Sequence, residues 1–251
     1  FVAASNGTFG PGSFIEFVGQ PALTLASPVD AYVLKVGRTR PEPPAALPAG
    51  GGALQTVTAE ERWAPDRVYS FSSPNGDPWF DQGLLARGAA ARLTRTFDLP
   101  DLAAGNVKLT VEAWGYGDWA GTAPDHHLIA SVNGTVVLDE RFDGITTLEK
   151  TVNVRDLVSA SGNTLEILIP GDTGYQFDYV AFEGFSVSYP RRTIARNGRF
   201  AGSVTGGKTY AVGGFDAGET VALWRQKGRS WQRGEQFEIG RGVDKAAHDV
   251  P

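Results

Sequence analysis

The sequence predicts an all-β protein: an antiparallel β-sandwich of the jelly-roll type, with a small additional β-unit and one short helix. Strand-like patterns recur at intervals of roughly ten residues between residues 89 and 190, which is the spacing typical of such sandwiches. Glycine (32) and proline (15) make up close to a fifth of the 251 residues, which favours frequent turns. Beyond the short helix, no pattern in this region calls for helical structure.

Six runs within the sandwich region alternate apolar and polar residues with a period of two, which predicts strands. In one of them, Val107 and Leu109 alternate with Lys108 and Thr110. Asn133-Gly134 lies between two runs and is the strongest two-residue hairpin signal that a sequence offers. The six predicted strands are residues 91–99, 107–114, 126–132, 135–142, 148–154 and 164–170.

Residues 171–192 supply the closing strand of the predicted sandwich. Its apolar face changes parity, because Val180 and Phe182 share one parity and Phe185 has the other. A strand can change parity only through a bulge or a bend, for which Gly184 is suited. We therefore expect Asp178 and Glu183 to lie on or beside an irregularity, where their carboxylates satisfy backbone or turn groups.

A short helix is predicted over residues 78–86. Asp77 can cap it, and Pro78 suits the first helical position. Its apolar side should dock on the sheets. That side would consist of Trp79, Phe80, Leu84 and Leu85.

The chain divides into three predicted parts. Residues 1–52 hold N-terminal strands, at 13–18 and 31–36, followed by an exposed loop rich in proline and glycine. Residues 53–192 form the sandwich, and residues 193–251 form a small β-unit with a C-terminal connection. Since Arg38 and Arg40 lie in the extended, solvated loop, this loop is a candidate for proteolytic processing; the alternative is an unprocessed surface loop.

Composition excludes several classes of function. The net charge is −5 with mixed signs, so we expect neither nucleic acid nor an anionic membrane surface as a partner. No apolar run approaches the length of a membrane span. The absence of cysteine excludes disulfides, thiolate zinc sites and a cysteine nucleophile. Because the chain starts at Phe1 and has no methionine, we expect a processed product or a piece of a longer precursor.

No constellation in the sequence predicts catalysis. A G-x-S-x-G motif is absent, and the spacing of the carboxylates gives no reason to pair any two of them as a glycosidase would require. His126 and His127 should point to opposite faces of a strand. Adjacent histidines in that geometry do not readily chelate one metal ion, so we expect no active site and no cofactor.

The loop at residues 114–125 is the candidate ligand-binding segment. Exposed aromatic rings can stack on sugars, and loop carboxylates can bind hydroxyl groups or a structural Ca²⁺. The alternative is that the rings fold back over the end of the sandwich and become half-buried. The candidate residues are Trp114, Tyr116, Asp118, Trp119 and Asp125.

A series of motifs in order resembles the non-catalytic region that precedes the catalytic domain in gingipain-like cysteine peptidases. The resemblance covers about residues 6–192, and GRFAGSV is similar to the next piece of that region. No single motif is diagnostic, and the order carries the match. The motifs are GTFGPGSFIEFVGQ, DAYVLKVG, DPWFDQGLL, TRTFDLPDLAAGNVKLTVEAWG, DHHLIASVNGTVVLDERFDG, GNTLEILIPGDTG and DYVAFEGFSVSYPRR.

The resemblance implies an accessory, propeptide-like segment of a secreted or cell-surface bacterial peptidase. Its partner would be the catalytic domain of the same precursor, which it would pack on or restrain. No catalytic residue of the family matches a position here, and the histidines at 126 and 127 do not stand for the family's dyad. The main alternative is a carbohydrate-binding or adhesion module that recognises a surface glycan.

Overall fold

A computed structural model describes residues 2–3, 11, 14–15, 32–33, 55–203, 208–227, 230–233, 237–238 and 245–250. The predicted strand at 13–18 is described only at Phe14–Ile15, which is a strand, and the one at 31–36 only at Tyr32 and Val33, which are exposed and outside any strand. Arg38 and Arg40 lie outside the described residues, so their role stays a prediction.

Every regular element among the described residues is a β-strand. The strands are β1 Val2–Ala3, β2 Phe14–Ile15, β3 Thr56–Trp63, β4 Val68–Tyr69, β5 Trp79–Phe80, β6 Gln82–Ala86, β7 Ala91–Phe97, β8 Lys108–Gly115, β9 His126–Val132, β10 Thr135–Phe142, β11 Thr147–Asn153, β12 Asn163–Ile169, β13 Asp178–Arg192, β14 Lys208–Gly213, β15 Thr220–Val221, β16 Trp224–Lys227, β17 Ser230–Arg233, β18 Phe237–Glu238 and β19 Lys245–Val250.

Strands β6 to β13 form two antiparallel sheets that confirm the predicted sandwich. One sheet has the order β10-β9-β12-β7, and the other has the order β11-β8-β13 with both β6 and β3 on the far side of β13. Successive strands mostly alternate between the sheets, and this order is that of a jelly roll. The six predicted internal strands all exist: two have the predicted bounds, and the ends of the other four differ by one or two residues.

The core lies between the two sheets and is built from the alternate residues of each strand. In β8, Leu109, Val111 and Ala113 are fully buried, and in β12 Leu165 and Ile167 are buried in the same way. The Asn133-Gly134 hairpin joins β9 to β10 with positive φ at both positions, 49° and 83°. Such a turn matches the twist of the flanking strands and fixes their register.

The closing strand β13 contains the predicted irregularity. Its pairing with β8 shifts register between Phe182 and Gly184. The first half of β13 pairs with β6 and the second half with β3. A Cβ at position 184 would meet the carbonyl oxygen of Trp63 and lie 2.7 Å from the Cα of Ala64. Glycine is therefore required by the close approach of β3, and the bulge prediction is confirmed.

The predicted helix over residues 78–86 is wrong. This segment forms β5 and β6, and β6 pairs with the first half of β13. Asp77 does bind a backbone N–H, that of Trp79 at 3.0 Å, but two residues on, as in an Asx turn. Leu84 is buried and Leu85 is exposed, the alternation of a strand, so sheet pairing overrides the local capping signal.

Strand β3 is an element that the sequence patterns did not indicate. Its inward side is formed by Val57, Ala59 and Trp63, with the charged Glu61 at the same parity. That carboxylate breaks the apolar alternation on which a prediction depends. Trp63 nevertheless stacks on Phe185 at 4.7 Å between ring centroids and extends the core.

After β13 the chain forms short two-stranded ladders. β14 pairs with β19, β15 with β18, and β16 with β17. Thr193 connects this region to the sandwich, because its hydroxyl donates to the carbonyl oxygen of Ala211 at 2.6 Å while its backbone N–H donates to Gln55. Asp101 adds a bidentate contact from Arg196, at 2.9 and 3.0 Å.

Candidate functional site

Three connections meet at one end of the sandwich and carry the predicted ligand-binding residues except Trp114, which lies in β8. They are the loop between β8 and β9 (residues 116–125), the loop between β10 and β11 (143–146) and the loop between β12 and β13 (170–177). His126 and Asp178 begin the strands that follow two of these loops. The site is therefore assembled from segments far apart in the sequence.

Trp114 and Tyr116 belong to a stack of aromatic rings on the outer face of the second sheet. Trp114 is fully buried and packs against Phe80, and its ring lies 4.7 Å from that of Tyr116. The ring of Tyr116 stacks in turn on Tyr179 at 4.5 Å. The Tyr116 hydroxyl shares a hydrogen bond with Ser70 at 2.7 Å. These two predicted sugar-binding rings are thus committed to packing.

Trp119 is half-buried in a second aromatic group at the end of the sandwich. Its ring stacks almost parallel on Tyr175 at 4.7 Å, and Phe177 meets it edge-on at 4.9 Å. Gly117 lies against the same ring, since a Cβ there would be 2.7 Å from the Trp119 Cε2. The ring is covered from both the 116–125 loop and the 170–177 loop.

The two predicted carboxylates behave differently. Asp118 is exposed and lies beside Gly144. Asp125 is fully buried: its Oδ2 accepts the backbone N–H of Trp119 at 3.0 Å, and its own N–H donates to Asp143 at 3.1 Å. The second oxygen, Oδ1, is buried without a hydrogen-bond partner. Asp125 therefore closes the loop on itself.

A buried histidine–aspartate pair holds this loop to the sandwich. His126 Nδ1 lies 2.7 Å from Asp178 Oδ1, and Nε2 lies 3.0 Å from the carbonyl oxygen of Gly117. Since a carbonyl oxygen only accepts, both ring nitrogens donate when the ring is an imidazolium. Burial opposes the charge, but the bonds to Asp178 and Gly117 and the charges of Asp178 and Asp125 raise the pKa of His126 overall.

His127 points the other way, as predicted from strand geometry. Its Nδ1 contacts Asp172 at 2.8 Å and its Nε2 contacts Asp139 at 2.7 Å. Arg141 also binds Asp172, at 2.8 Å. Burial raises the pKa of Asp172, but the hydrogen bonds and charges of His127 and Arg141 lower it by more, so the pKa is lower than that of a free aspartate.

The geometry of this end favours a structural role for its polar groups. Within the part of the chain that the structure describes, no group of three or more His, Asp or Glu side chains is arranged to hold a metal ion. Binding of a structural Ca²⁺ stays a prediction. His126 and Asp178 are both inaccessible to solvent, so neither can meet a substrate in this conformation.

Sequence reasoning missed the partners of the two histidines. Asp178 lies 52 residues from His126, and Asp172 lies 45 residues from His127. Neither spacing corresponds to a helix or strand period or to a known motif, so the sequence alone does not indicate these pairs. The pairs arise because β9 and β13 start at the same end of the sandwich, and only a correct strand order could have brought them together.

Comparison with known proteins shows that this fold occurs in a solved structure. No protein-family model matches the sequence, and no curated protein matches it. The dimeric latent PorU of Porphyromonas gingivalis matches 82% of this chain and 20% of its own, with a TM-score of 0.52 and 12% identity. The chain thus spans about a fifth of the length of PorU. At this identity the likeness shows a shared fold alone.

Two carbohydrate-binding modules give weaker matches. A module of a multidomain xylanase from the hindgut metagenome of Trinervitermes trinervoides has a TM-score of 0.32 and 13% identity, over 54% of this chain and 94% of its own. A second module, solved with calcium and xylotriose, has a TM-score of 0.27 and 17% identity over 56% and 91%. TM-scores below 0.5 do not establish a common fold.

Proposed function

We propose that this chain is a non-catalytic β-domain of a secreted gingipain-like cysteine peptidase, and that it packs on or restrains the catalytic domain. The observation that supports this most is the match to latent PorU, which extends over 82% of the chain and so exceeds the sandwich alone. The ordered motifs of residues 6–192 point independently to the same class of protein.

The chemistry of the chain is consistent with an accessory role. The chain contains no cysteine, so the nucleophile of such a peptidase would come from another domain. His126 and His127 each bind acceptors through both ring nitrogens. The described residues include no helix long and apolar enough to cross a bilayer.

Binding to a catalytic domain is the direct test. The purified chain is titrated against the catalytic domain of a gingipain-like peptidase from the same organism, and complex formation and hydrolysis of a chromogenic peptide are followed. We expect saturable binding and slower hydrolysis. An unrelated β-sandwich of similar size and charge is the control. Absence of binding at micromolar concentration would reject the proposal.

The carbohydrate-binding alternative has less support at the residues first suggested for it. The loop at 114–125 uses Trp114 and Tyr116 in the aromatic stack and covers Trp119 with Tyr175. Screening the chain on a glycan array, with Trp119→Ala as the comparison, tests that loop. Signals that disappear in the variant would favour the alternative.

A further inference from the structure

The hairpin formed by β4 and β5 carries a group of three aromatic rings, the exposed Tyr69 and Phe71 and the partly buried Trp79, which we call the aromatic hairpin face. Phe71 is 92% exposed and Tyr69 is 48% exposed. The ring of Tyr69 meets Phe71 and Trp79 edge-on, each at 5.0 Å between centroids. A contiguous aromatic patch in water is unfavourable, and such patches mark binding sites.

One side of the hairpin packs on the sheet, and the other side faces away from it. Ser70 is buried beneath it, where its hydroxyl bonds to Tyr116 and accepts the N–H of Ser72 at 3.1 Å. Phe80 packs inward against the sheet. The residues at the parity of Tyr69 then point outward. Ser70 and Phe80 thus face inward while Tyr69 and Phe71 stay exposed, so packing of the hairpin on the sheet does not account for these two exposed rings.

The loop beside the rings is held in one conformation by its own side chains. Asn75 donates to Glu183 at 2.9 Å and accepts from the Ser73 hydroxyl at 2.6 Å and from the backbone N–H of Asp77 at 3.0 Å. Asp77 in turn accepts the N–H of Trp79 at 3.0 Å. A pre-organised surface loses little conformational entropy when a ligand binds.

The charges around the face disfavour an anionic ligand. Arg67, next to β4, is paired with Asp81 at 2.6 Å, and Asp81 also binds Arg95, while Arg62 of β3 is paired with Glu112 at 2.6 Å. The loop itself contributes a carboxylate, Asp77, and neutral hydroxyl and amide groups. An anionic polymer would therefore meet arginines whose side chains are already engaged, together with the carboxylate of Asp77.

We propose that the aromatic hairpin face binds a neutral polysaccharide. The apolar C–H face of a pyranose ring packs on an aromatic ring, and the hydroxyl groups at its edge need the polar donors and acceptors that the 72–78 loop supplies. Each exposed ring of the patch offers one pyranose ring a stacking surface.

Affinity electrophoresis of the full chain tests the proposal, with arabinoxylan, mixed-linkage β-glucan, galactomannan and starch as neutral probes and dextran sulfate as the anionic one. We expect at least one neutral polysaccharide to retard the chain and dextran sulfate to have no effect. Phe71→Ala should weaken that binding by about tenfold or more, because the lost ring burial is worth at least one factor of ten.

Further variants distinguish binding at the aromatic hairpin face from binding at the 116–125 loop and from a contact with a peptidase domain. Val136→Ala removes an apolar side chain that is 57% exposed on β10 of the other sheet, and this variant should bind as the parent chain does. Failure of all four neutral polysaccharides would overturn the proposal. So would binding lost in Trp119→Ala and kept in Phe71→Ala, or a peptidase-domain contact that depends on Phe71 without any glycan binding.

Discussion

His126 is a buried histidine whose two ring nitrogens both face acceptors, and this makes its protonation state part of the fold. The pKa of the ring is raised above its ordinary value of 6.5. Protonated His126 therefore contributes stability that is fully present below about pH 6.5 and is lost as the pH rises through the folded-state pKa. Above that pH the neutral ring can donate to only one of Asp178 and Gly117.

We predict that the free energy of unfolding of the parent chain decreases as pH is raised from about 6.5. His126→Gln should remove the contribution of His126 to this pH dependence. Urea denaturation at a series of pH values measures it. His127 stays in both proteins, so the difference between them isolates position 126. Parallel pH profiles in the two proteins would contradict the assigned imidazolium.

At the residue level, local chemistry was predictable and long-range partners were not. The opposite orientation of His126 and His127 follows from the period of a strand. Their partners could not be predicted in this way, because Asp178 and Asp172 are brought to the histidines by the position of β13 and of the loop before it. Likewise, tryptophan is a residue type that often binds sugars, so the sequence suggested a ligand-binding role for Trp114. Only the packing of Phe80 on the outer face of the sheet shows that Trp114 is buried.

Among the elements, β6 gives the sharpest contrast between a strand and the predicted helix. In a helix over residues 78–86, Leu84 and Leu85 would share one apolar side. In the strand Leu84 is 3% exposed and Leu85 is 49% exposed. We predict that Leu84→Ala lowers the free energy of unfolding by about 2–5 kcal/mol.

Leu85→Ala is the matched control for that measurement, and it should cost less than about 1 kcal/mol because the side chain is half in water. Both values come from chemical denaturation monitored by tryptophan fluorescence. Equal losses at the two positions would argue that the segment does not alternate as β6 does.

The bulge in β13 is an element-scale feature with one indispensable residue. A side chain at position 184 would press on the backbone at Trp63 and Ala64, and backbone atoms cannot move aside without breaking the pairing of β3 with β13. We predict that Gly184→Ala destabilises the chain by about 1–3 kcal/mol. Lys108→Ala, at an exposed position of β8, should change stability by less than about 0.5 kcal/mol.

Thermal and urea unfolding of the two variants decide this point. A Gly184→Ala protein as stable as the Lys108→Ala protein would mean that β3 can move away from the bulge. The bulge was predictable because the apolar residues change parity within a few consecutive positions of one strand. β3 was not, because Glu61 occupies a position where the pattern calls for an apolar residue.

At the scale of the whole molecule, the jelly-roll order explains which predictions succeeded. Strand existence between residues 91 and 170 depends on alternation within each run, which a sequence displays directly. The neighbours of each strand depend on contacts between distant segments, such as β6 with β13. The short segment before β6 carried a helix capping signal that those contacts overrode.

The junction between the sandwich and the region after β13 depends on Thr193, which is fully buried. Its hydroxyl donates to Ala211, and its backbone carbonyl accepts the N–H of Gly213 at 2.9 Å. Thr193→Val keeps the volume of the side chain and removes the hydroxyl, leaving the carbonyl of Ala211 without its donor. An unsatisfied buried group of this kind costs about 1–3 kcal/mol.

We therefore predict that Thr193→Val accelerates amide hydrogen exchange in β14 while β8, β9 and β12 keep the protection of the parent chain, because the lost bonds join Thr193 to Ala211 of β14 and to Gln55 beside β3, and do not join the two sheets to each other. Thr151→Val is the control, since its hydroxyl is exposed and bonds only to that of Thr110. Faster exchange throughout the sandwich would show that Thr193 supports the whole core. Unchanged exchange in β14 would show that the backbone bonds alone hold the two parts together.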